Sequence, residues 1–233
     1  MGIVRVRAII ALTMEKIDYS KSHNWMKERS YIEEFIGLIP LSKNQYVLDA
    51  GCGSGYVAEE IRPKVKEVLQ IDYDWAMLSK NAMVHHTSTL KTSILDLWMI
   101  KDNLFDAIFC RSVLHRLQEP KLAYKELLRV LKPKGKIVFS ISHAPSEVKE
   151  EYEKMMSNKG SRLYLTEDQW KEMLSSEKNS KITKQGKIKF SLDLNTWGLL
   201  KEHQNSSKKF KEFFKLKDNI IECSHVYFVV EKL

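Results

Sequence analysis

The sequence Tyr46-Val47-Leu48-Asp49-Ala50-Gly51-Cys52-Gly53-Ser54-Gly55 joins a short apolar run to three glycines spaced two residues apart. Val47 and Leu48 are typical of a buried parallel strand. The glycines let the following turn approach a ligand with bare backbone before a helix begins at about Tyr56. A ligand at this turn would lie at the carboxyl end of a strand, where open α/β sheets bind their ligands. The stretch therefore predicts a cofactor-binding turn.

The glycine spacing separates two classes of cofactor. Dinucleotide binding requires G-x-G-x-x-G, which counted from Gly51 and Gly53 places the third glycine at position 56, and that position is Tyr56. Asp49 also puts a carboxylate beside a turn that would otherwise attract a pyrophosphate. Both features favour a cationic ligand over a dinucleotide.

The segment D-A-G-C-G-S-G, from Asp49 to Gly55, resembles the glycine-rich first motif of class I S-adenosylmethionine-dependent methyltransferases of the small-molecule type. Their cofactor carries an ammonium and a sulfonium but no phosphate. The resemblance implies an enzyme that uses S-adenosyl-L-methionine, leaves S-adenosyl-L-homocysteine, and transfers a methyl group by in-line displacement. It places in the cofactor site Asp49, Gly51, Cys52, Gly53 and Gly55.

A second apolar strand, Val68 to Asp72, ends in an acid seventeen residues beyond Gly55. That is near the distance at which an acidic side chain hydrogen-bonds a ribose diol. We expect Asp72 to bind the ribose and Tyr73 to cover one face of the adenine.

The family resemblance is less complete at the adenine. Related sequences carry an Asp a fairly fixed distance before the pair Phe105-Asp106, and counting back reaches Ser93 or Ile94 instead. We expect the pocket to be lined by Ser93, Ile94 and Leu95, partly through backbone contacts. Asp96 followed by Leu97 is the alternative, which requires a following loop shortened by about two residues.

The block from Phe105 to Leu117 resembles the family's fourth strand and the loop after it, and it adds Cys110 and Arg111 to the expected cofactor site. His115 lies in that loop and is the candidate general base, because its ordinary pKa is near neutrality. Packing or capping is an equally weighted role for this histidine. Expected substrate-side residues are Tyr19, Trp25, Arg116 and Trp197.

The order of motifs predicts a doubly wound α/β fold: a mostly parallel, seven-stranded Rossmann-like sheet with an antiparallel last strand, helices on both faces and a helical cap. We expect residues 1–13 to be a dispensable extension and 14–233 a single methyltransferase domain. Within it, the predicted parts are a helical lid (14–42), a cofactor-binding core (43–142), a substrate-side insertion (143–220) and a closing strand (221–233). A Thr166/Gln169 capping box predicts a helix inside the insertion.

Composition narrows the functional classes. The chain has 233 residues and three cysteines far apart in sequence. That pattern suggests neither a disulfide framework nor a metal site. No apolar run approaches the roughly 18 residues of a membrane span. We therefore expect a cytoplasmic protein with no membrane partner and no metal, as a monomer or homodimer.

Charge supplies the alternative to a small-molecule acceptor. The net charge of +8 and the pI near 9.2 are compatible with a tRNA or rRNA methyltransferase, because phosphate neutralisation dominates nucleic-acid affinity. Interspersed Lys and Glu and the absence of an aromatic-plus-basic module favour a solvated lysine-rich surface instead. A third hypothesis is a non-catalytic S-adenosylmethionine-binding protein. The acceptor itself is not readable from the sequence.

Overall fold

The computed structural model describes residues 29–79, 88–156, 163–195 and 199–233. Its centre is one seven-stranded sheet in the order β3-β2-β1-β4-β5-β7-β6. The strands are β1 Tyr46–Ala50, β2 Glu67–Asp72, β3 Ser88–Lys91, β4 Phe105–Arg111, β5 Leu131–Ser142, β6 Ser180–Asp193 and β7 Ile220–Lys232.

Parallel pairing joins the first five strands. In β1, Leu48 faces Leu69 of β2 on one side and Ile108 of β4 on the other. Strand β7 runs antiparallel to both β5 and β6, so it alone is reversed. The sheet confirms the predicted fold class, including the antiparallel last strand. The reversal of order beside β1 creates the crevice at which such sheets bind ligands.

Helices cover both faces of the sheet. They are α1 Arg29–Ile36, α2 Tyr56–Ile61, α3 Pro120–Val130, α4 Lys149–Met156, α5 Glu167–Ser175, α6 Leu200–Gln204 and α7 Lys208–Phe213. Side chains of α1 and α2 pack on one face with Val47 and Phe109. Side chains of α3 and α5 pack on the other with Leu48 and Ile108. Successive residues of one strand thus enter opposite cores, as the period of two requires.

Local sequence explains where several helices begin. Pro120 occupies the first turn of α3, where its missing N–H costs no hydrogen bond. The predicted capping box is present at α5: the Thr166 hydroxyl accepts from Gln169 N, and the Gln169 side chain accepts from Thr166 N. These caps fix α5 beside the carboxyl end of β5, where Ala144 N donates to Leu165 O.

The predicted lid, 14–42, is described only from residue 29 onward. Its described part, α1, packs into the core through Tyr31, Ile32, Phe35 and Ile36. Of the expected substrate-side residues, Tyr19, Trp25 and Trp197 lie outside the described residues. The division into lid, core, insertion and closing strand stays a prediction.

Candidate functional site

The glycine turn follows β1 and takes a backbone shape that side chains rarely permit. Gly51, Gly53 and Gly55 have φ values of 73°, 52° and 78°, all in the left-handed region. A Cβ on Gly51 would lie 2.4 Å from Val113 Cγ2, whereas one on Gly53 would meet nothing within 4 Å. Gly51 therefore serves packing, and Gly53 faces open space that a ligand can occupy.

Asp72 ties this turn to the end of β2. Its Oδ2 accepts from Gly53 N at 2.9 Å, and its Oδ1 accepts from Asp74 N at 2.9 Å. The carboxylate is buried, and that burial raises its pKa while the two backbone N–H groups oppose the rise. The Tyr73 N–H also donates to this carboxylate, so of its roughly four acceptor sites about one remains for the diol contact predicted for Asp72.

Asp49 lies beneath the turn and is 2 % exposed. Its Oδ2 accepts from Ala58 N in α2 at 3.2 Å. Burial raises the pKa of Asp49 to about 7, and the nearby Arg111 guanidinium and the Ala58 N–H oppose the rise. A buried carboxylate with a raised pKa is a favourable neighbour for a cationic group, which restores its charged form.

The expected adenine residues follow β3, next to Asp72: Thr92 N donates to Asp72 O at 3.1 Å. Ser93 starts a turn in which Asp96 N donates to Ser93 O and Leu95 N to the Ser93 hydroxyl. Ile94 is buried, Ser93 and Leu95 are half-buried, and the alternative residue Asp96 is exposed. Tyr73 is 59 % exposed and lies beyond β2, where a flat ligand could stack on it.

The remaining sequence-predicted residues, Cys52, Cys110, Arg111 and Arg116, lie in different surroundings. Cys110 is packed in the core with Ile108 and Phe139, and Cys52 is buried in the glycine turn. Arg111 enters the opposite side of the sheet, with its guanidinium 5.8 Å from the Tyr31 ring centre. Arg116 is folded back, with Nε donating to Ser112 O at 2.9 Å.

His115 occupies a 3-10 turn after β4 and is buried. Its Nδ1 accepts from Ser142 N at 3.3 Å, so its neutral ring carries the proton on Nε2. Burial, helped by the Arg116 charge and by His225, holds the pKa of His115 well below its ordinary value. At neutral pH this histidine is an uncharged hydrogen-bond donor.

A buried polar network that the sequence did not reveal lies next to His115. The Tyr31 hydroxyl is bonded to Ser140 Oγ and lies 2.9 Å from His225 Nδ1. The His225 ring centre is 6.2 Å from that of His115. Burial holds the pKa of His225 well below its ordinary value, and the neighbouring His143, Arg111 and Arg116 add to that shift. These hydrogen bonds link α1 to β5 and β7.

A cavity of about 380 Å³ opens on this side of the sheet. It lies between the carboxyl ends of β5 and β6, the start of β7, and the helices α4 and α7. His115, His143 and His225 line it together with the aromatic side chains of Tyr152, Phe190 and Phe214. Of the sequence-predicted site residues that the structure describes, His115 alone lines this cavity. His143 and His225 were missed, although His143 directly follows a buried strand end, a position that could have drawn attention to it.

One known family matches the segment of the sequence that carries the glycine turn and Asp72. Residues 48–139, about two fifths of the chain, match the family described as "Methyltransferase domain". This segment is similar to methyltransferase domains. It spans the strand, glycine turn, acidic β2 end and β4–β5 region described above.

Characterised relatives are methyltransferases of low identity. Malonyl-[acyl-carrier protein] O-methyltransferase of Buchnera aphidicola is 32 % identical over 120 residues, which are 49 % of each chain. Demethylmenaquinone methyltransferase of Renibacterium salmoninarum is 28 % identical over 127 residues, 54 % of this chain and 51 % of that protein. The chain thus spans about half the length of these curated relatives.

Solved structures extend the likeness over most of the chain. The YcgJ protein of Bacillus subtilis covers 86 % of this chain and 96 % of its own, with a TM-score of 0.71 and 18 % identity. Phosphoethanolamine N-methyltransferase 2 of Haemonchus contortus, solved with phosphomonomethylethanolamine and S-adenosylhomocysteine, covers 90 % and 53 %, with a TM-score of 0.62 and 16 % identity. At these identities the likeness establishes the fold.

The described residues contain neither a candidate metal site nor a helix that could span a membrane. Within residues 29–79, 88–156, 163–195 and 199–233, no group of three or more His, Cys, Asp or Glu side chains could hold a metal ion. Over the same ranges, none of the helices has the length and apolar character needed to cross a membrane.

Proposed function

We propose that the chain transfers a methyl group from S-adenosylmethionine to a small-molecule acceptor. The observation that carries the proposal is the pairing of Gly53 with Asp72: an open left-handed glycine whose N–H holds a buried carboxylate at a strand end, inside a methyltransferase domain. Bound there, S-adenosylmethionine would supply a methyl group on a positively charged sulfur that a nucleophile displaces.

The residues present suit that cofactor. Asp72 would hold a ribose hydroxyl with the acceptor site that the backbone N–H groups of Gly53, Tyr73 and Asp74 leave open. Asp49 is buried and has a pKa of about 7, so an ammonium beside it would return it to its charged form. Tyr73 and the Ser93 turn flank the β2 end, where an adenine would lie next to the ribose.

The chain's own contribution to rate is positioning and exclusion of water. A well-oriented pair of reactants gains about 7–11 kcal/mol over the bimolecular reaction. His115 was predicted from sequence as a general base. The hydrogen bond from Ser142 N supports a different part for it, because Nε2 then carries the proton and donates to the acceptor or to water.

Small-molecule methylation is favoured over RNA methylation by relatives named as demethylmenaquinone, ubiquinone-biosynthesis and phosphoethanolamine methyltransferases. We further propose a cytoplasmic protein, active as a monomer or homodimer.

The direct test uses S-adenosylmethionine labelled in its methyl group, incubated with the full chain and a metabolite extract. Label should move into compounds that pass a filter with a cut-off of small-molecule size. Heat-denatured protein serves as the control. Label that appears only in RNA, or that does not leave the donor, would contradict the proposal.

A further inference from the structure

A surface segment beside the cavity combines exposed apolar side chains with a high density of lysine. This segment, residues 208–218, consists of α7 and the turn that leads into β7, and we call it the α7 surface. It holds five lysines against two acidic residues, and all five lysines are exposed. Phe213 is 44 % exposed and Leu216 is 36 % exposed. Large apolar side chains therefore face solvent among an excess of positive charge.

The inner side of the α7 surface fixes which side chains point outward. Phe210 is fully buried, and His203 Nε2 donates to Phe214 O at 2.9 Å. Because positions four apart are neighbours on one face of a helix, Lys209 and Phe213 lie side by side on the outer face. The exposed apolar and cationic groups are thus held in place by packed structure.

Most of the lysines keep their charge for an outside partner. Lys208 Nζ lies 3.7 Å from Glu212 Oε1, and both side chains are highly exposed, so this pair is weak. Among the described residues, Lys211, Lys215 and Lys217 form no ion pair with another side chain. The α7 surface therefore presents uncompensated positive charge to the solvent.

Phe213 connects the α7 surface to the cavity. Although this side chain is exposed, it also lines the cavity, together with the buried Phe214 and Ile221. Its ring centre lies 4.8 Å from that of Phe214, with the planes at 68°. The α7 surface therefore borders an opening of the cavity.

The composition of the α7 surface discriminates between three kinds of partner. Exposed apolar patches mark contacts with proteins or membranes, but lysine is depleted where proteins meet. A nucleic acid would gain little from the aliphatic Leu216, and residues 200–233 contain no arginine, the side chain best suited to bind phosphate in two places. An anionic lipid bilayer uses both features, because lysines contact the headgroups while phenylalanine and leucine enter the boundary with the acyl chains.

We propose that the α7 surface docks on the anionic surface of a lipid bilayer, with Phe213 and Leu216 inserted at the level of the headgroups. Docking places an opening of the cavity against the bilayer. The sequence predicts no membrane partner because no run of residues can span a bilayer, but a surface that lies on a bilayer needs no span. Docking does not require methyl transfer, so vesicle binding and the proposed function can succeed or fail independently.

The test is sedimentation of the full chain with lipid vesicles at low salt. One set of vesicles contains phosphatidylcholine alone, and the other contains phosphatidylcholine mixed with the anionic phosphatidylglycerol. The chain should sediment with the anionic vesicles and stay in solution with the neutral ones, and added salt should release it, since salt screens exposed charges. Equal sedimentation with both sets, no sedimentation with either, or tighter binding to tRNA than to anionic vesicles would overturn the proposal.

Two double variants separate the α7 surface from the net charge of the chain. Lys215→Gln with Lys217→Gln removes two charges from this surface and should weaken binding to anionic vesicles about tenfold or more. The control, Lys64→Gln with Lys101→Gln, removes two exposed charges near the amino ends of β2 and β4, at the opposite end of the parallel strands from the cavity. It should bind within about twofold of the wild type, because those charges lie farther than a screening length from the docked lipid. Equal losses in the two double variants would show that only net charge matters, and the proposal would fail.

Leu216→Ser and Leu233→Ser test the apolar contribution. Leu216 is 36 % exposed and Leu233 is 50 % exposed, but Leu233 follows the end of β7 that is far from the α7 surface. Leu216→Ser should weaken binding to anionic vesicles about threefold or more, since apolar area that enters the bilayer is lost. Leu233→Ser should bind like the wild type. Unchanged binding by Leu216→Ser, or an equal loss in Leu233→Ser, would refute the docking geometry.

These variants replace only exposed side chains, so their melting temperatures should stay close to that of the wild type. Differences in vesicle binding then report the surface and not the fold.

Discussion

At the residue scale, two glycines of one turn have different physical roles. Both Gly51 and Gly53 have positive φ, so any side chain adds a cost of about 1–2 kcal/mol. Only at Gly51 would a Cβ also collide, with Val113. The sequence predicted both as cofactor-binding residues from their spacing. It could not separate them, because the neighbour that distinguishes them comes from a loop about 60 residues away.

Gly53→Ala and Gly51→Ala are therefore a matched pair. We expect Gly53→Ala to lower the free energy of unfolding by about 1 kcal/mol and to weaken S-adenosylmethionine binding about tenfold or more, since its methyl group enters ligand space. Gly51→Ala should lose more stability. Denaturant unfolding and calorimetry give the two numbers, and equal losses of stability with unchanged affinity in Gly53→Ala would refute this division. Gly53→Val should abolish binding.

If S-adenosylmethionine binds beside Asp49 as proposed, we expect its affinity to depend on pH. Its pKa in the protein is about 7, above its ordinary value, so below pH 7 the folded protein carries a proton there that a cationic ligand must expel. The affinity for S-adenosylmethionine should fall as the pH is lowered from 7.5 to 5.5, by up to about tenfold per unit below pH 7. The ligand's own α-amino group, with an ordinary pKa of about 7.7–8.0, stays mainly protonated in this range.

Asp49→Asn is the control for that titration. This variant should bind S-adenosylmethionine more weakly at pH 7.5. Its affinity should change less with pH, because an amide does not titrate in this range and Asp72, the other carboxyl whose pKa burial raises, is unchanged. Calorimetry across the pH range makes the comparison. Parallel profiles for the wild type and Asp49→Asn would remove Asp49 from the linkage.

At the element scale, helix α1 is joined to the sheet by a buried hydroxyl; the lid of which the sequence predicts it to be a part stays a prediction. The Tyr31 hydroxyl binds Ser140 and His225, and burial raises the pKa of Tyr31 to about 12. The sequence predicted helical structure in this part of the chain, and α1 is a helix. The partners were beyond prediction, because Ser140 and His225 lie 109 and 194 residues away in sequence.

Tyr31→Phe keeps the ring, which packs edge-on against Phe190, and removes only the hydroxyl. We expect a loss of about 1–3 kcal/mol in the free energy of unfolding, since Ser140 and His225 each lose a buried partner. Denaturant unfolding monitored by circular dichroism measures it. A stability within about 0.5 kcal/mol of the wild type, the usual range of surface changes, would show that the network contributes little.

At the scale of the whole molecule, the glycine turn, the acid at the β2 end and the strand order were predictable because each depends on local sequence. The cavity was not predictable. The cavity is built from β5, β6, β7, α4 and α7, which meet only after the long antiparallel β6–β7 pair has formed. His115 was found because it lies in a loop of the family's motif, whereas His143 and His225 belong to no local pattern.

The net charge of +8 is the basis of the RNA alternative, and binding to polyanions tests that alternative. Four lysines, Lys181, Lys184, Lys187 and Lys189, lie on β6 at the sheet edge, where charged side chains discourage strand pairing. Lys181 and Lys187 of this strand are paired with Glu231 and Glu167. We therefore expect the chain to elute from heparin, and to release tRNA, below about 0.2 M salt. Nucleic-acid binders that make 6–10 phosphate contacts lose affinity steeply as the salt concentration rises, so the concentration at release is the quantity to compare. Retention of tRNA well above that concentration would favour an RNA acceptor.

The central claim is that the turn and Asp72 bind S-adenosylmethionine, and calorimetry with S-adenosylhomocysteine tests it most directly. The matched variants are Asp72→Ala and Asp74→Asn, the second of which can keep the Asp74 side chain's bond to Ala76 N. The account predicts saturable binding by the wild type and Asp74→Asn, and a loss of about tenfold or more in Asp72→Ala. No binding by the wild type, or equal affinity in Asp72→Ala, would contradict it.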